Sequence, residues 1–65
     1  MNIRQLQALR VVCGDYHSGQ CSRGYRLGSM AYRALKRRGA ERFAWDSVGE
    51  TAEYQAMVRA WGEKL

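Results

Sequence analysis

The spacing of apolar residues near both ends of the chain restricts the fold more than any other feature of the sequence. Near the start the apolar positions are Ile3, Leu6, Leu9, Val12 and Cys13, and near the end they are Tyr54, Met57, Val58, Trp61 and Leu65. Residues three and four positions apart share one face of an α-helix. The two patterns therefore predict two amphipathic helices, over residues 2–13 and 48–64.

Each of these predicted helices begins with a pair of residues that can satisfy free backbone N–H groups. Asn2 precedes Gln5 by three positions, and Ser47 precedes Glu50 by three. In such a capping box, each of the two side chains accepts a hydrogen bond from the backbone of the other residue. Gly14 is expected to end the first helix.

The apolar stripe of the last predicted helix has two interpretations. It is first of all a core face, because a small domain needs its large apolar residues inside. It is alternatively a dimer or partner face, because its aromatic residues are large for so short a chain. The residues of this candidate face are Tyr54, Met57, Trp61 and Leu65.

A third helix is predicted over residues 29–38, where four cationic residues lie close together. Ser29 can act as its N-cap, and Gly39 can adopt the left-handed conformation that ends a helix. A helix of about ten residues spans roughly 15 Å, close to the width of the DNA major groove. The basic helix therefore suggests docking on an acidic partner. Nucleic acid is the first candidate and an acidic protein surface is the second.

The remaining segments lack helical periodicity. Residues 14–28 contain four glycines, which predicts a Gly-rich connector, with a short helical turn or strand near residues 21–27 as the open alternative. Phe43 and Trp45 stand at alternate positions within residues 41–46, which predicts a short strand. The chain is therefore expected to be a single small domain over residues 1–65, mostly α, with three main helices and at most one short β element.

Charge is unevenly distributed along the chain. Residues 1–42 carry nine Lys or Arg and two acids, a net charge of +7, whereas residues 43–65 carry two Lys or Arg and four acids, a net charge of −2. A basic surface of this kind attracts polyanions such as nucleic acid. A solvated basic surface explains the same distribution without any partner.

The length and the terminal residues bear on partners and on location. A domain of 65 residues buries only about 60% of its unfolded surface, so a homodimer or docking on a partner is expected. The sequence holds no apolar run near the roughly 20 residues that cross a membrane, and its polar start does not resemble a signal peptide. The expectation is a cytoplasmic protein with reduced thiols and no membrane contact.

Cys13, His17 and Cys21 are spaced four positions apart. Thiolates and imidazole at such spacing can bind zinc, but a structural site needs four ligands. A disulfide is a second interpretation, and two unpaired thiols beside a surface histidine are the favoured one. The sequence holds no phosphate-loop, dinucleotide-loop or catalytic motif. We therefore expect no enzymatic activity, no cofactor and no metal.

The candidate binding residues follow from the spacing within the basic helix. Ser29, Arg33 and Arg37 share one face, and the early residues of a recognition helix contact base edges in DNA. Arg33 is the candidate for a bidentate contact to guanine. Phosphate contacts are expected from Lys36, Arg37 and Arg38, with Arg23, Arg26 and Ser29 flanking them. A solvated basic face is the alternative.

The sequence resembles small winged helix-turn-helix domains over about half of its length. Asn2, Gln5 and Leu9 have the spacing of the cap, Gln and Leu in their opening helix, with Asn in place of the usual Thr or Ser. Tyr32, Leu35 and Gly39 resemble the end of their recognition helix. Residues 47–61 resemble the helix that follows the wing.

Two segments depart from the winged helix-turn-helix pattern. Residues 14–28 give no second helix, and residues 40–47 are too few for a two-stranded wing. The chain is therefore similar to a reduced winged helix, as in small phage-encoded regulators and inhibitors. The resemblance implies a DNA-binding protein that regulates transcription. Its alternative implication is a phage-type inhibitor or adaptor that binds a host protein, such as a nucleic-acid-processing enzyme, through the basic face or the C-terminal apolar helix.

Overall fold

Four helices make up the regular structure of the computed structural model, which describes residues 1–17, 19 and 21–65. In chain order they are α1 (Ile3–Tyr16), α2 (Arg23–Arg37), α3 (Trp45–Gly49) and α4 (Ala52–Trp61). No strand occurs within the described ranges. The predicted mostly α class with three main helices is confirmed, and α3 is a short addition to them.

Helix α1 begins as predicted and ends later than predicted. The backbone N–H of Gln5 donates to Asn2 Oδ1 at 2.8 Å, and the backbone N–H of Asn2 donates to Gln5 Oε1 at 2.9 Å, which confirms the first capping box. The helix continues through Gly14 to Tyr16, so the predicted end at Gly14 is wrong. A Cβ at Gly14 would lie 2.8 Å from the Trp45 ring; this glycine is needed for packing rather than for ending the helix.

Helix α2 begins six residues before the predicted start, which corrects the predicted connector over residues 14–28. Ser22 is the N-cap, and its hydroxyl accepts a hydrogen bond from the Tyr25 backbone at 3.1 Å. Ser29, predicted as the N-cap, lies inside the helix. The helix tolerates Gly24 and Gly28 because both are buried where α2 approaches α1 closely.

The predicted end of the basic helix is confirmed. Arg38 is the C-cap of α2, and Gly39 follows it with a φ of 67°, in the left-handed region that glycine adopts without strain. The backbone N–H of Ala40 donates to the Leu35 carbonyl at 2.9 Å, and that of Gly39 donates to the Lys36 carbonyl at 3.1 Å. These bonds satisfy carbonyls that the last turn leaves free.

The predicted strand over residues 41–46 is wrong. The Phe43 and Trp45 rings stack on each other, with centroids 5.9 Å apart and planes within 4°, and Trp45 opens helix α3. Their alternate spacing therefore reflects a stacked aromatic pair rather than one face of a strand.

The predicted single helix over residues 48–64 is two helices with a break between them. Ser47 lies inside α3, and Glu50 is the C-cap of that helix, so the second predicted capping box is wrong. Thr51 is the N-cap of α4 and accepts a hydrogen bond from the Tyr54 backbone at 3.2 Å. Its hydroxyl also donates to the Val48 carbonyl at 2.7 Å. Thr51 thus fixes both sides of the break.

The hydrophobic core lies around α1, which packs against each of the other three helices. Val12, Cys13 and Leu35 are the largest fully buried side chains. Their burial places the core between the second half of α1 and the end of α2. No helix among the described residues is long and apolar enough to cross a membrane.

Candidate nucleic-acid interface

The two faces of α2 differ in chemistry. Its buried positions are Gly24, Gly28, Ala31 and Leu35. These fall at helical spacing and face α1. The opposite side exposes Arg23, Arg26, Arg33 and Arg37, which we name the arginine row. The row runs about 21 Å along the helix axis, taking 1.5 Å per residue.

The arginine row brings together four of the predicted binding residues on one helix. Arg23 and Arg26, expected on a connector, lie on the same rigid element as Arg33 and Arg37. Beside the row, Tyr25, Ser29, Tyr32 and Lys36 form a second line at helical spacing. A helix holds these groups in fixed order, as a flexible connector would not.

The chain does not neutralise this face with its own acids. Residues 16–40 contain no Asp or Glu, and within the described part of the chain no Lys or Arg forms an ion pair with a carboxylate. Arg33 and Arg37 are both exposed, so their charges are not compensated by the protein itself. Uncompensated positive charge of this kind attracts polyanions over several ångströms.

Three other cations, two in α2 and one at its C-cap, already contact groups close to them in the chain. Arg38 Nη1 donates to the Ala34 carbonyl at 2.8 Å, and Arg26 Nη2 donates to the Cys21 carbonyl at 3.3 Å. The Lys36 ammonium lies 6.0 Å from the Tyr32 ring centroid. Arg38 thereby stabilises the helix end, where a cation also suits the helix dipole. Arg23, Arg33 and Arg37 make no such contact within the described part of the chain, so they are the clearest positions for testing binding.

A cleft of about 570 Å³ lies on one side of the arginine row, between α1 and α2. It is lined by Arg10, Cys13, His17, Gly24, Tyr25, Gly28, Ser29, Tyr32 and Arg33. We refer to this as the polar cleft. Sequence reasoning missed Arg10, because its position on α1 is on the polar side of the apolar stripe. Only the approach of Trp45 and α2 makes it part of a cleft.

A second depression of about 480 Å³ lies on the other side of the row. It is lined by Met1, Leu6, Leu9, Leu27, Met30, Ala31, Arg33, Ala34, Arg37 and Trp61. We refer to this as the apolar groove. Arg33 lines both depressions, so the arginine row forms the ridge that separates them.

The predicted dimer or partner face on the last helix points mainly inward. Met57 is buried, and Tyr54, Trp61 and Leu65 are partly buried against the core. This placement agrees with the core interpretation of the stripe. Trp61 also lines the apolar groove, so a partner contact by this residue stays a prediction.

The cysteines are both free, and their surroundings differ. Cys13 is buried and Cys21 is exposed. Burial raises the pKa of the Cys13 thiol, and the nearby Arg10 guanidinium opposes that shift. No group of three or more His, Cys, Asp or Glu among the residues with described positions is placed to hold a metal ion, including the candidate set of Cys13, His17 and Cys21.

Comparisons with known proteins give no relative for this chain. No family model matches it, and neither a curated protein nor a solved structure does.

Proposed function

We propose that this protein binds DNA through the exposed face of α2 and regulates transcription from that contact, in a cytoplasmic setting where its two free thiols persist. The observation that carries the proposal is the arginine row, in which four guanidinium groups line one helix face. An α-helix fits the major groove of B-DNA, which is about 12 Å wide. Phosphates along the groove edges supply the opposing charge.

The proposed contacts divide into base recognition and phosphate binding. Arg33, at the centre of the exposed face, is assigned to a guanine edge, where its planar fork makes two parallel hydrogen bonds. Arg37, Lys36 and Arg38 are assigned to phosphates on one side. Arg23 and Arg26 are assigned to phosphates on the other, with Ser29 beside them. The sequence resemblance to a reduced winged helix supports the use of this helix, because its end resembles the end of the recognition helix of that family.

A homodimer is proposed as the binding form. A helix-turn-helix dimer reads two half-sites about one helical turn of DNA apart. A chain of 65 residues gains stability from such pairing because its own core is small.

A salt titration of binding to a defined DNA duplex tests the proposal. Each neutralised phosphate contributes a slope of roughly −0.9 to the plot of log K against log salt concentration. Four or five contacts per chain therefore predict a slope near −4 for each bound chain, and about −8 for the proposed dimer. A flat response, or no binding at low salt, contradicts the proposal.

Matched variants separate the proposed face from general charge. R33Q combined with R37Q removes the proposed guanine contact and one proposed phosphate contact, so affinity should fall and the slope should become less negative by about one per chain. R59Q combined with K64Q removes two charges from the C-terminal region, where both side chains are exposed. Equal losses in the two double variants would contradict a role for α2.

The alternative function is a phage-type inhibitor or adaptor that binds an acidic host protein. One observation favours it. The apolar groove exposes Met30 and Met1 beside Arg33 and Arg37, and apolar surface with a charged rim is typical of protein interfaces. Capture from nuclease-treated lysate distinguishes the two functions. A single stoichiometric protein that survives nuclease treatment favours the inhibitor, and loss of all partners favours DNA.

A further inference from the structure

The polar cleft has a floor that is kept free of side chains. Gly24 and Gly28 contribute only backbone on the α2 side. A Cβ at Gly28 would lie 3.2 Å from Cys13 Cβ and 3.8 Å from Arg10 Nη1. The close approach of α2 to α1 at Gly28 therefore leaves no room for a larger side chain, and this contact forms the floor of the cleft.

The cationic group at the base of the cleft is held in place. The Arg10 guanidinium carbon lies 5.3 Å from the centroid of the Trp45 ring, within the range of a cation–π contact. Its Nη1 lies within 4 Å of the positions that a Cβ would occupy on Gly14 and on Gly28. The contact with Trp45 restricts the Arg10 side chain before an anion binds, which lowers the entropic cost of binding.

The wall of the cleft on α2 is aromatic. Tyr25 is 47% exposed and Tyr32 is 40% exposed, although both line the cleft. Ser29 lies between them at helical spacing, Arg33 lies at the ridge, and His17 lies at the end of α1. No acid lines the cleft among the described residues. The cleft therefore offers cations and aromatic rings with no opposing charge.

We infer that the polar cleft binds a single unpaired nucleotide, with its phosphate on Arg10 and its base against Tyr25 or Tyr32. Aromatic rings that stack on bases, combined with cations that meet the backbone, are the means by which proteins hold single-stranded nucleic acid. The volume is within the range of about 300–1,000 Å³ for ligand sites. A paired base cannot enter a cleft between two helices without leaving its stack.

This inference deepens the proposed function, on which it rests for the source of the nucleotide. An unpaired base in a DNA strand and a free mononucleotide share the same chemistry. Arg33 joins the cleft to the arginine row, so a strand lying along α2 could place one nucleotide in the cleft while neighbouring phosphates contact the row.

Fluorescence of Trp45 tests the cleft directly. The chain has two tryptophans. In W61F the only remaining source of tryptophan fluorescence is Trp45, whose ring contacts the Arg10 guanidinium. The probes are a deoxynucleoside monophosphate, the same deoxynucleoside without phosphate, and inorganic phosphate. We expect a saturable change with the monophosphate that is tighter than with either fragment. The change should be lost in R10Q and retained in R59Q.

Three DNA probes then distinguish the sources of the nucleotide. They are a perfectly paired duplex, the same duplex with one unpaired nucleotide, and the corresponding single strand. One stacked base contributes about 1–3 kcal/mol, so the unpaired nucleotide should tighten binding roughly 5- to 150-fold over the paired duplex. Y32L removes an aromatic ring from the cleft and S29L fills part of it, so each should reduce that preference. Circular dichroism confirms that R10Q, Y32L and S29L retain their helices, and S29L leaves every cation in place.

The outcomes separate this inference from the proposed function. Salt-dependent duplex binding with no preference for the unpaired nucleotide and no response to the monophosphate overturns the cleft and leaves the function standing. A response to the monophosphate that depends on Arg10, without binding to any DNA probe, supports the cleft and overturns the function. Equal responses in R10Q and in the unsubstituted chain overturn the cleft.

Discussion

The polar cleft and the apolar groove lie on opposite sides of the same ridge, yet apart from the shared Arg33 they are lined by different side chains. The cleft meets the second half of α1, where Arg10 and His17 supply polar groups and glycines keep the floor low. The groove meets the first half of α1 and the end of α4, where Leu6, Leu9 and Trp61 supply apolar surface. Helix α2 thus borders two different depressions, because α1 contributes apolar side chains along its first half and polar groups near its end.

This comparison shows how a short chain presents more than one surface. The arginine row faces solvent between the two depressions, so each of them shares its charge. A ligand in the cleft meets cations beside aromatic rings, whereas a ligand in the groove meets cations beside methionine and leucine. Nucleotides suit the first combination, and amphipathic protein segments suit the second.

The largest expected effect is on the core that supports both depressions. Leu35 is fully buried between α1 and α2, and L35A removes most of its packing. Substitutions of this kind cost about 2–5 kcal/mol, a large part of the stability of a small domain. Urea unfolding followed by circular dichroism measures the loss. M30A, at an exposed site on the same helix, should cost less than about 0.5 kcal/mol, and a similar cost for both variants would contradict this packing.

The second effect acts where the end of α1 meets the start of α2, beside the cleft. A Cβ at Gly24 would meet Cβ of His17 and lie 3.0 Å from its Cα, so G24A must separate α2 from the end of α1. Overpacking of this kind costs about 1–3 kcal/mol. At Gly49, which is also helical, a Cβ meets nothing within 4 Å, and G49A should stabilise the protein by up to about 1 kcal/mol. Thermal unfolding of both variants gives the comparison, and destabilisation by G49A alone would refute it.

These glycines also explain what the sequence could and could not predict. The start of α1 at Asn2 and the end of α2 at Gly39 depend on hydrogen bonds between near neighbours, and both were predicted. Gly14 and Gly24 have the same local preferences as Gly39, but their role is to admit Trp45 and His17 from elsewhere in the chain. Sequence spacing carries no signal for such approaches.

The candidate site likewise contains residues that the sequence predicted and a residue that it did not. Exposure of Arg33 and Arg37 followed from helical spacing, because Ala31 and Leu35 fix the buried side. The role of Arg10 depends on Trp45, which lies 35 positions later, and no local pattern links the two. Residues 14–28, predicted as a connector, contain the end of α1 and the start of α2, the two helices that form the cleft. Ser18 and Gln20 of this segment lie outside the described residues.

The third effect acts on the groove side, through the start of α4. T51A removes the side chain that caps α4 and bonds to the Val48 carbonyl, and loss of an N-cap costs about 1 kcal/mol. Trp61 at the other end of α4 lines the groove, so its fluorescence should report the loosening in a W45F background. S47A is the matched control, because Ser47 lies inside α3. A larger cost for S47A would instead support one continuous helix capped at Ser47.

The smallest effect concerns the hydrogen bond that joins α4 to the cleft end of α1. The Tyr54 hydroxyl donates to Asp15 Oδ2 at 3.0 Å, and Y54F should cost no more than about 1 kcal/mol, because the bond is exposed to water. Burial, followed by the hydrogen bond and charge of Asp15, raises the pKa of Tyr54 above its ordinary value of 10.0. The unfolded phenol therefore loses its proton at lower pH than the folded one, and this contribution to stability is lost as pH rises above about 10.

Comparison of Y54F with the unsubstituted protein isolates that contribution. The Cys13 thiol, whose raised pKa has the same sign of effect from pH 9.0 upward, is present in both proteins and cancels in the difference. The cost of Y54F should accordingly be constant at neutral pH and shrink as pH rises above about 10. Urea unfolding at closely spaced pH values measures the difference. A cost that stays constant through this range would mean that Tyr54 titrates alike in the folded and unfolded chains, and α4 would then be held to α1 by its apolar stripe alone.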